Sequence, residues 1–485
     1  MAETFGNFVA GEWVKASSGK TFDSINPANT DDLVACYQAS SVEDAKNTID
    51  VAQKAQAAWA AIPAPNRGVI LMRAAELLEK RSESVAADMT REEGKTLPEA
   101  KGEVGRAVNI LRYFGGEGAR LGGETVPSER EGVFAYTFRK PLGVVSLLTP
   151  WNFPIAIPAW KMAPALIAGN TVVIKPASAA PLCTVRLIEV LHESGLPKGV
   201  LNMVTGSGSV IGDELISNPA VKAVSFTGSC EVGNGIQNKT VPRGTKTQLE
   251  MGGKNPTIVL RDADLNMAAD IVVNGAFFST GQKCTATSRA LIEEPIFEEF
   301  VRLLVEKTRR LRVGNGIEKG VDIGPCVDEG QMKTVLRYVD IGKKEGAKLL
   351  CGGHRLSGPG YDKGYFVEPT IFSDVTPDMT IAQEEIFGPV LAVIPVKDID
   401  AAIAVANNVK FGLSASLLTN QLNKVFRYIN RIEAGLIIVN LPSAGVEYQL
   451  PFGGTKASST GFREQGSVAI DFYSELRTVY LKHQT

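Results

Sequence analysis

Histidine is scarce in this chain: only His192, His354 and His483 occur in 485 residues. The first falls in an expected amphipathic helix, the second in a glycine-rich turn and the third close to the C-terminus, so histidine is a poor source of a catalytic base. Paired or clustered cysteines are also missing, since Cys36, Cys183, Cys230, Cys284, Cys326 and Cys351 are scattered with no CxxC spacing. That pattern argues against disulfides and structural zinc, and no metal site is expected. There is no basic run and the net charge is −2, which leaves nothing for nucleic acid or an anionic membrane surface to hold. No apolar stretch approaches the roughly eighteen residues of a membrane span. The start, Met1-Ala-Glu-Thr-Phe-Gly-Asn7, lacks the charged and apolar parts of a secretory leader. A cytoplasmic protein is expected, with small molecules and copies of itself as partners.

Hydrophobic content of 44% and charged content of 21% are ordinary globular values. The length exceeds what one core organises, so two or three domains are expected. Residues 41–62 read as a helix, with Ser41 and Asp44 resembling a capping box and Val42, Ala45, Ile49, Ala52, Ala55, Trp59 and Ile62 at helical spacing. Further helices are expected at 66–80 and 82–93. Val133, Ala135 and Thr137 then alternate with Phe134, Tyr136 and Phe138, the period of a strand whose aromatic face needs a partner outside its own domain. Short apolar runs at 143–148, 171–174, 200–204 and 221–226, separated by helix-compatible segments, suit a parallel sheet buried on both faces. This is a nucleotide-binding layout. A second α/β unit begins near Pro256, with runs at 257–260, 347–350, 365–367 and 390–394 and a helix over 295–310, before a tail strand at 476–481.

Two segments look like halves of one active site: Glu250-Met-Gly-Gly-Lys-Asn-Pro256 and Gly281-Gln-Lys-Cys-Thr285. A thiolate adds readily to carbonyl carbon when something takes its proton, and Glu250, rigid at a strand end before a Gly-Gly turn, is the base on offer for Cys284. Thr149-Pro-Trp-Asn-Phe-Pro154 follows the first buried strand, where open parallel sheets bind ligands. Trp151-Asn152 reads either as a rigid turn or as a ligand contact, and beside a nucleophilic cysteine the Asn152 amide becomes an oxyanion donor. Lys175 ends the second strand, within reach of ribose or phosphate or simply solvated. Gly206-Ser-Gly208-Ser-Val-Ile-Gly212 is a weak dinucleotide fingerprint, spaced GxGxxxG and with Glu231 displaced beyond the next strand. Phe226-Thr-Gly-Ser229 is a strand-to-helix turn suited to phosphate. Gln383-Glu-Glu-Ile-Phe-Gly-Pro389, Pro451-Phe-Gly-Gly454 and Arg463-Glu464 stay open between ordinary turns and functional ones.

In this order the motifs resemble the aldehyde dehydrogenase superfamily over essentially the whole chain, from Gly11-Glu-Trp13 and Asn26-Pro27 through Gly169-Asn-Thr-Val-Val-Ile-Lys-Pro176 to Pro451-Phe-Gly-Gly454. The resemblance implies an α/β fold with a Rossmann-type cofactor domain (1–121 and 142–252), an α/β catalytic domain (253–465) and a β oligomerisation extension (122–141 and 466–485). A homodimer or homotetramer would follow. It implies Cys284 as nucleophile, Asn152 with the Cys284 backbone N–H as oxyanion donors, and Glu250 as base toward the thiol and then the hydrolytic water. Lys161 and Glu464 would assist proton movement. Thr149, Trp151, Lys175, Ser178, Gly208, Ser229 and Met251 would line the cofactor, and Glu385 and Phe387 would hold its nicotinamide ribose and ring. NAD-favouring members commonly carry glutamate where this chain has Ser178, so NADP is expected to serve at least as well as NAD, because a carboxylate would repel a 2′-phosphate.

The segments 281–289, 440–449 and 463–466 look most like the 2-oxoglutarate-semialdehyde (2,5-dioxopentanoate) dehydrogenase branch. Trp160 stands where succinate-semialdehyde relatives usually place arginine. That substrate, or a broad range of aliphatic aldehydes, is the alternative within the family. Acyl transfer to coenzyme A and a catalytically silent structural relative are opposed by the joint presence of Asn152, Glu250 and Cys284. Phe153, Trp160, Lys283, Thr285 and Ser443 are the expected channel residues, with Lys283 and Arg289 as candidates to grip any substrate carboxylate and Arg289 reading equally as a structural ion-pair partner. Ser458-Ser-Thr-Gly-Phe-Arg463 departs from the usual Ser-Gly-x-Gly-Arg.

Overall fold

Five short strands, Val144–Leu148, Thr171–Lys175, Leu201–Met203, Val221–Thr227 and Lys246–Glu250, run parallel at the centre of an eight-stranded sheet. They are seen in a computed structural model that describes residues 2–483. Continuous burial along Val144–Leu148 explains its apolar run, interrupted only by the buried Ser146, since helices cover both faces. Across the sheet the order is Lys246–Glu250, Val221–Thr227, Val144–Leu148, Thr171–Lys175, Leu201–Met203. The winding therefore reverses between Val144–Leu148 and Val221–Thr227, and a crevice opens there beyond the strands' carboxyl ends.

Antiparallel strands close both edges: Asn7–Val9 and Glu12–Val14 on one side, Ser459–Gly461 on the other. The last departs from the expected division of the chain, because residues from within 253–465 complete the first sheet. Pairing between segments this remote leaves no local periodicity to read.

The helix Val42–Ala61 has the expected capping box, with Asp44 N–H donating to Ser41 Oγ and Ser41 N–H to Asp44 Oδ2. Ala64–Lys80 and Ser82–Glu93 follow as expected. The longer helix Leu97–Glu117 was not anticipated, although Thr96 and Glu99 form a second capping box. It packs on Ala64–Lys80 and on the wholly buried helix Ala156–Ile167, and through these contacts it reaches the active site.

The second sheet has seven strands in the order Lys348–Cys351, Thr370–Ser373, Val390–Val396, Thr287–Glu293, Asn255–Val259, Ser414–Leu418, Leu436–Val439, parallel except for the first pair. The apolar run 365–367 is not one of its strands. Its backbone is spent on loop partners instead, Tyr365 N–H on Pro27 O, Tyr365 O on Cys326 N–H and Phe366 O on Leu356 N–H. The expected aromatic strand, Val133–Pro141, pairs along its length with Ser474–Lys482 and also with Thr125–Pro127. Phe134, Phe138 and Tyr480 remain exposed on this small sheet. Among the described residues no helix is long and apolar enough to cross a membrane, and no group of three potential ligands could hold a metal.

Candidate active site

Cys284 follows a turn in which Ser279, Thr280 and Gly281 all have positive φ (54°, 57° and 64°). Two successive non-glycine residues in the left-handed region are costly, and the surroundings hold them there. Glu99 Oε1 accepts from Ser279 N–H and Oγ at 2.6 and 3.2 Å, Thr280 Oγ1 donates to Gly324 O, and Gln282 Oε1 accepts from Val327 N–H. A Cβ on Gly281 would lie 2.3 Å from Gly388 O, so space as well as φ requires glycine.

The Gly-Gly pair after Glu250 has a similar cause. A Cβ on Gly252 would strike the Glu385 carboxylate at 2.2 Å, and one on Gly253 would strike Cys284 O at 2.6 Å. Gly253 N–H donates to Glu385 Oε1 and Asn255 Nδ2 to Cys284 O. The two sequence segments thus meet, with Glu385 packed between them. Burial, then the Glu385 and Glu250 carboxyls, push the Cys284 thiol up to about 12. The side chain nevertheless stays partly open to a cavity. The direction of that shift favours the thiol over the thiolate, so a neighbouring base is called for.

Glu250 is buried at the end of Lys246–Glu250. Its Oε2 accepts from Ser459 Oγ, and its Oε1 has no partner among the described residues. Burial and the neighbouring Glu464 carboxyl hold its own carboxyl well above the usual range, which suits a base operating near neutrality. Gly453 leaves room for it, since a Cβ there would sit 2.8 Å from Oε1. Behind lies a buried ion pair between Lys161 and Glu464, with Lys161 Nζ donating to Ser225 Oγ at 2.7 Å and Ser225 Oγ to Gln248 Oε1 at 2.9 Å.

Asn152 is buried in the turn after Val144–Leu148, and its Nδ2 donates to Gln282 O at 3.0 Å. That bond ties the amide to the cysteine segment. Lys95, absent from the sequence reading, anchors the same turn: its Nζ donates to Asn152 O at 2.8 Å and to Glu103 Oε2 at 2.5 Å, and lies over the Phe153 ring. Glu103 Oε1 accepts the Ile155 and Ala156 N–H groups at the start of helix Ala156–Ile167. Burial opposes the charge on Lys95, yet Glu103 and Glu93 hold it protonated. A carboxylate inside the apolar stripe of Leu97–Glu117 was the available signal for Glu103.

Two cavities approach this centre. One of about 360 Å³ is lined by Cys284, Phe153, Trp160, Lys283, Thr285 and Phe452, with Glu99, Glu103 and Arg106. Ser443 is not on its wall: fully buried, it donates to Thr285 O and shares a hydrogen bond with the Thr287 hydroxyl, supporting the strand that follows Cys284. Arg289 is also elsewhere, buried and donating to the carbonyls of Lys254, Val405 and Ala406, which makes it an internal clamp.

The other cavity, of about 610 Å³, fills the crevice where the sheet winding reverses. Thr149, Trp151, Lys175, Gly208 and Ser229 line it, together with Thr227. Trp151 packs edge-on against Phe387 at 5.4 Å, bringing the Glu385 segment to its inner end. Ser178 lies outside the lining, exposed, its hydroxyl donating to Gly206 O at 3.2 Å. Met251 is buried beneath Gly233 in the apolar floor.

The profile described as "Aldehyde dehydrogenase family" matches residues 13–479. The chain belongs to that family. It is 50% identical over 479 residues to an alpha-ketoglutaric semialdehyde dehydrogenase of Bacillus subtilis, covering 99% of this chain and 98% of the relative. It is 46% identical to a 2,5-dioxopentanoate dehydrogenase of Saccharolobus solfataricus, covering 97% and 98%. Among solved structures, a betaine aldehyde dehydrogenase of Staphylococcus aureus in complex with NAD+ superposes with a TM-score of 0.96 at 33% identity, covering 98% of this chain and 94% of that one.

As an aldehyde dehydrogenase the protein is an NAD(P)-dependent oxidoreductase that converts an aldehyde to a carboxylic acid. Its larger cavity fits such a cofactor on its own terms. Thr149 Oγ1 and Thr227 Oγ1 are buried there without a partner. Lys175, pushed down to about 8 by burial, donates to Pro176 O and forms no ion pair among the described residues. These are donors awaiting a polyhydroxyl, anionic ligand.

Proposed function

We propose that this aldehyde dehydrogenase oxidises 2-oxoglutarate semialdehyde to 2-oxoglutarate, working in the cytoplasm as a dimer or dimer of dimers. The observation that carries the substrate is the 50% identity over nearly the whole chain to the Bacillus subtilis semialdehyde enzyme. All six cysteines are free, as suits a reducing compartment.

In this reading Glu250 takes the Cys284 proton and Sγ adds to the aldehyde carbon, forming a thiohemiacetal whose oxyanion is received by Asn152 Nδ2 and the Cys284 backbone N–H. Each such donor is typically worth about 3 to 4 kcal/mol in the transition state. Bound NAD(P) supplies the two-electron acceptor for the oxidation. Thr149, Trp151, Lys175, Gly208 and Ser229 bind it, with Met251 under the floor, and Glu385 and Phe387 position its reactive end. The thioester left on Cys284 is then hydrolysed by water that Glu250 deprotonates, releasing the acid and restoring the thiol. Lys161 and Glu464, packed behind Glu250, carry the protons away.

Ser178, with no carboxylate in its place, supports use of NADP at least as well as NAD. The test is a panel of 2-oxoglutarate semialdehyde, succinate semialdehyde, glutaraldehyde, betaine aldehyde and benzaldehyde, each assayed with both cofactors. The first substrate is expected to give the highest kcat/KM, and Cys284→Ala to abolish turnover. A preference for betaine aldehyde would overturn the substrate, a clearly higher kcat/KM with NAD would overturn the cofactor reading, and a product formed only with added coenzyme A would overturn hydrolysis.

A further inference from the structure

The charged groups on the wall of the cavity beside Cys284 are unevenly satisfied. Two carboxylates lie on its wall, and all four of their oxygens are committed. Glu99 accepts from Ser279 N–H and Oγ through one oxygen and from Thr96 N–H and Oγ1 through the other. Glu103 accepts two backbone N–H groups through one and the Lys95 ammonium through the other. The two cations on the same wall are not matched in this way. Arg106, half-buried on helix Leu97–Glu117, donates through one Nη to Val446 O and forms no ion pair with any described residue. Lys283, next to the nucleophile, makes no hydrogen bond or ion pair among the described residues, and burial pulls its ammonium down to about 8. A third donor, Trp160 Nε1, is buried on this wall with no acceptor among the described residues. Desolvated cations and an orphan N–H around one cavity are costly unless an anion completes them.

We propose that Arg106 and Lys283 together bind the distal carboxylate of the substrate, with Trp160 Nε1 donating to an oxygen beside it. This rests on the reading of the substrate as an acid semialdehyde, and it locates the selectivity. Arg106 brings its charge to the cavity wall from helix Leu97–Glu117. A planar guanidinium can meet a carboxylate through paired N–H groups, with Lys283 adding a point charge nearer the thiol. Arg289 cannot share the task, since it is fully buried away from this cavity and held by three internal carbonyls.

The experiment compares 2-oxoglutarate semialdehyde with pentanal, a neutral aldehyde of equal chain length, in the wild type and in Arg106→Gln, Arg106→Lys and Lys283→Met. The ratio of kcat/KM for the acid over pentanal should fall about 30-fold in Arg106→Gln, as expected for loss of a charged hydrogen-bonded contact, mainly through KM. Arg106→Lys should lie between this variant and the wild type, and Lys283→Met should lower the ratio as well. Glutarate should protect Cys284 from iodoacetamide in the wild type but not in Arg106→Gln. A wild type that prefers the acid together with an unchanged ratio in Arg106→Gln overturns the clamp alone. Equal losses on both substrates overturn it too, because they mark a structural role. A wild type with no preference for the acid overturns the substrate reading and takes the clamp with it.

Discussion

Ser459 puts a hydroxyl on Glu250 Oε2. That hydrogen bond favours the ionised carboxyl and so opposes the upward push of burial and Glu464. Removing it in Ser459→Ala should raise the Glu250 pKa further. A base must be deprotonated to act, so activity appears as pH rises through that pKa, and the acid limb of the pH–kcat profile should move to higher pH. An unshifted limb would mean that Ser459 does not tune the base. The departure of residues 458–463 from the usual pattern was readable in the sequence, whereas this contact was not, because Glu250 and Ser459 meet only when Ser459–Gly461 pairs with Lys246–Glu250. Arg289 shows the reverse: its charge near Cys284 in sequence read equally as a substrate grip or a structural partner, and the fold turned it inward onto backbone carbonyls.

Helix Leu97–Glu117 reaches the chemistry through buried charge. Glu103 caps the start of Ala156–Ile167, and Lys95, in the link between helices Ser82–Glu93 and Leu97–Glu117, joins Glu103 to the turn carrying Asn152. Lys95→Met would leave Glu103 and Glu93 buried without their cation, a loss of about 3 to 5 kcal/mol. Thermal unfolding should register that loss, and kcat should fall more than KM rises because the oxyanion donor loosens. A variant as stable as wild type would show that the network adds nothing. Elements of this kind divide by legibility. The helix Val42–Ala61 announced itself through its period and capping box, both made of neighbours in sequence. The run 365–367 looked like a strand by composition alone, and the loop contacts of its backbone decided otherwise.

Two of the sheet edges among the described residues are candidates for assembly. Ser474–Lys482 borders the three-stranded sheet and Leu436–Val439 borders the seven-stranded one. Exposed apolar side chains accompany the first, with Leu476 at 59% and Tyr480 at 62% of their full exposure. Unpaired edges with apolar flanks favour association, and a second copy is the expected cover. The double substitution Leu476→Asp with Tyr480→Asp should shift the species seen by light scattering from an oligomer to a monomer. An unchanged mass would place the interface elsewhere.

The sequence by itself determined the family, and it marked the strands of two sheets and the two segments, around Glu250 and around Cys284, that the fold brings together, because these rest on contiguous motifs and on periodicities that local hydrogen bonding imposes. Tertiary structure decided what surrounds that pair. Ser459 on the base, Lys95 behind the oxyanion donor and Arg106 on the substrate wall all act across long separations in the chain. Their partners are chosen by packing and by the cost of burying charge, and neither leaves a mark on the residues next door.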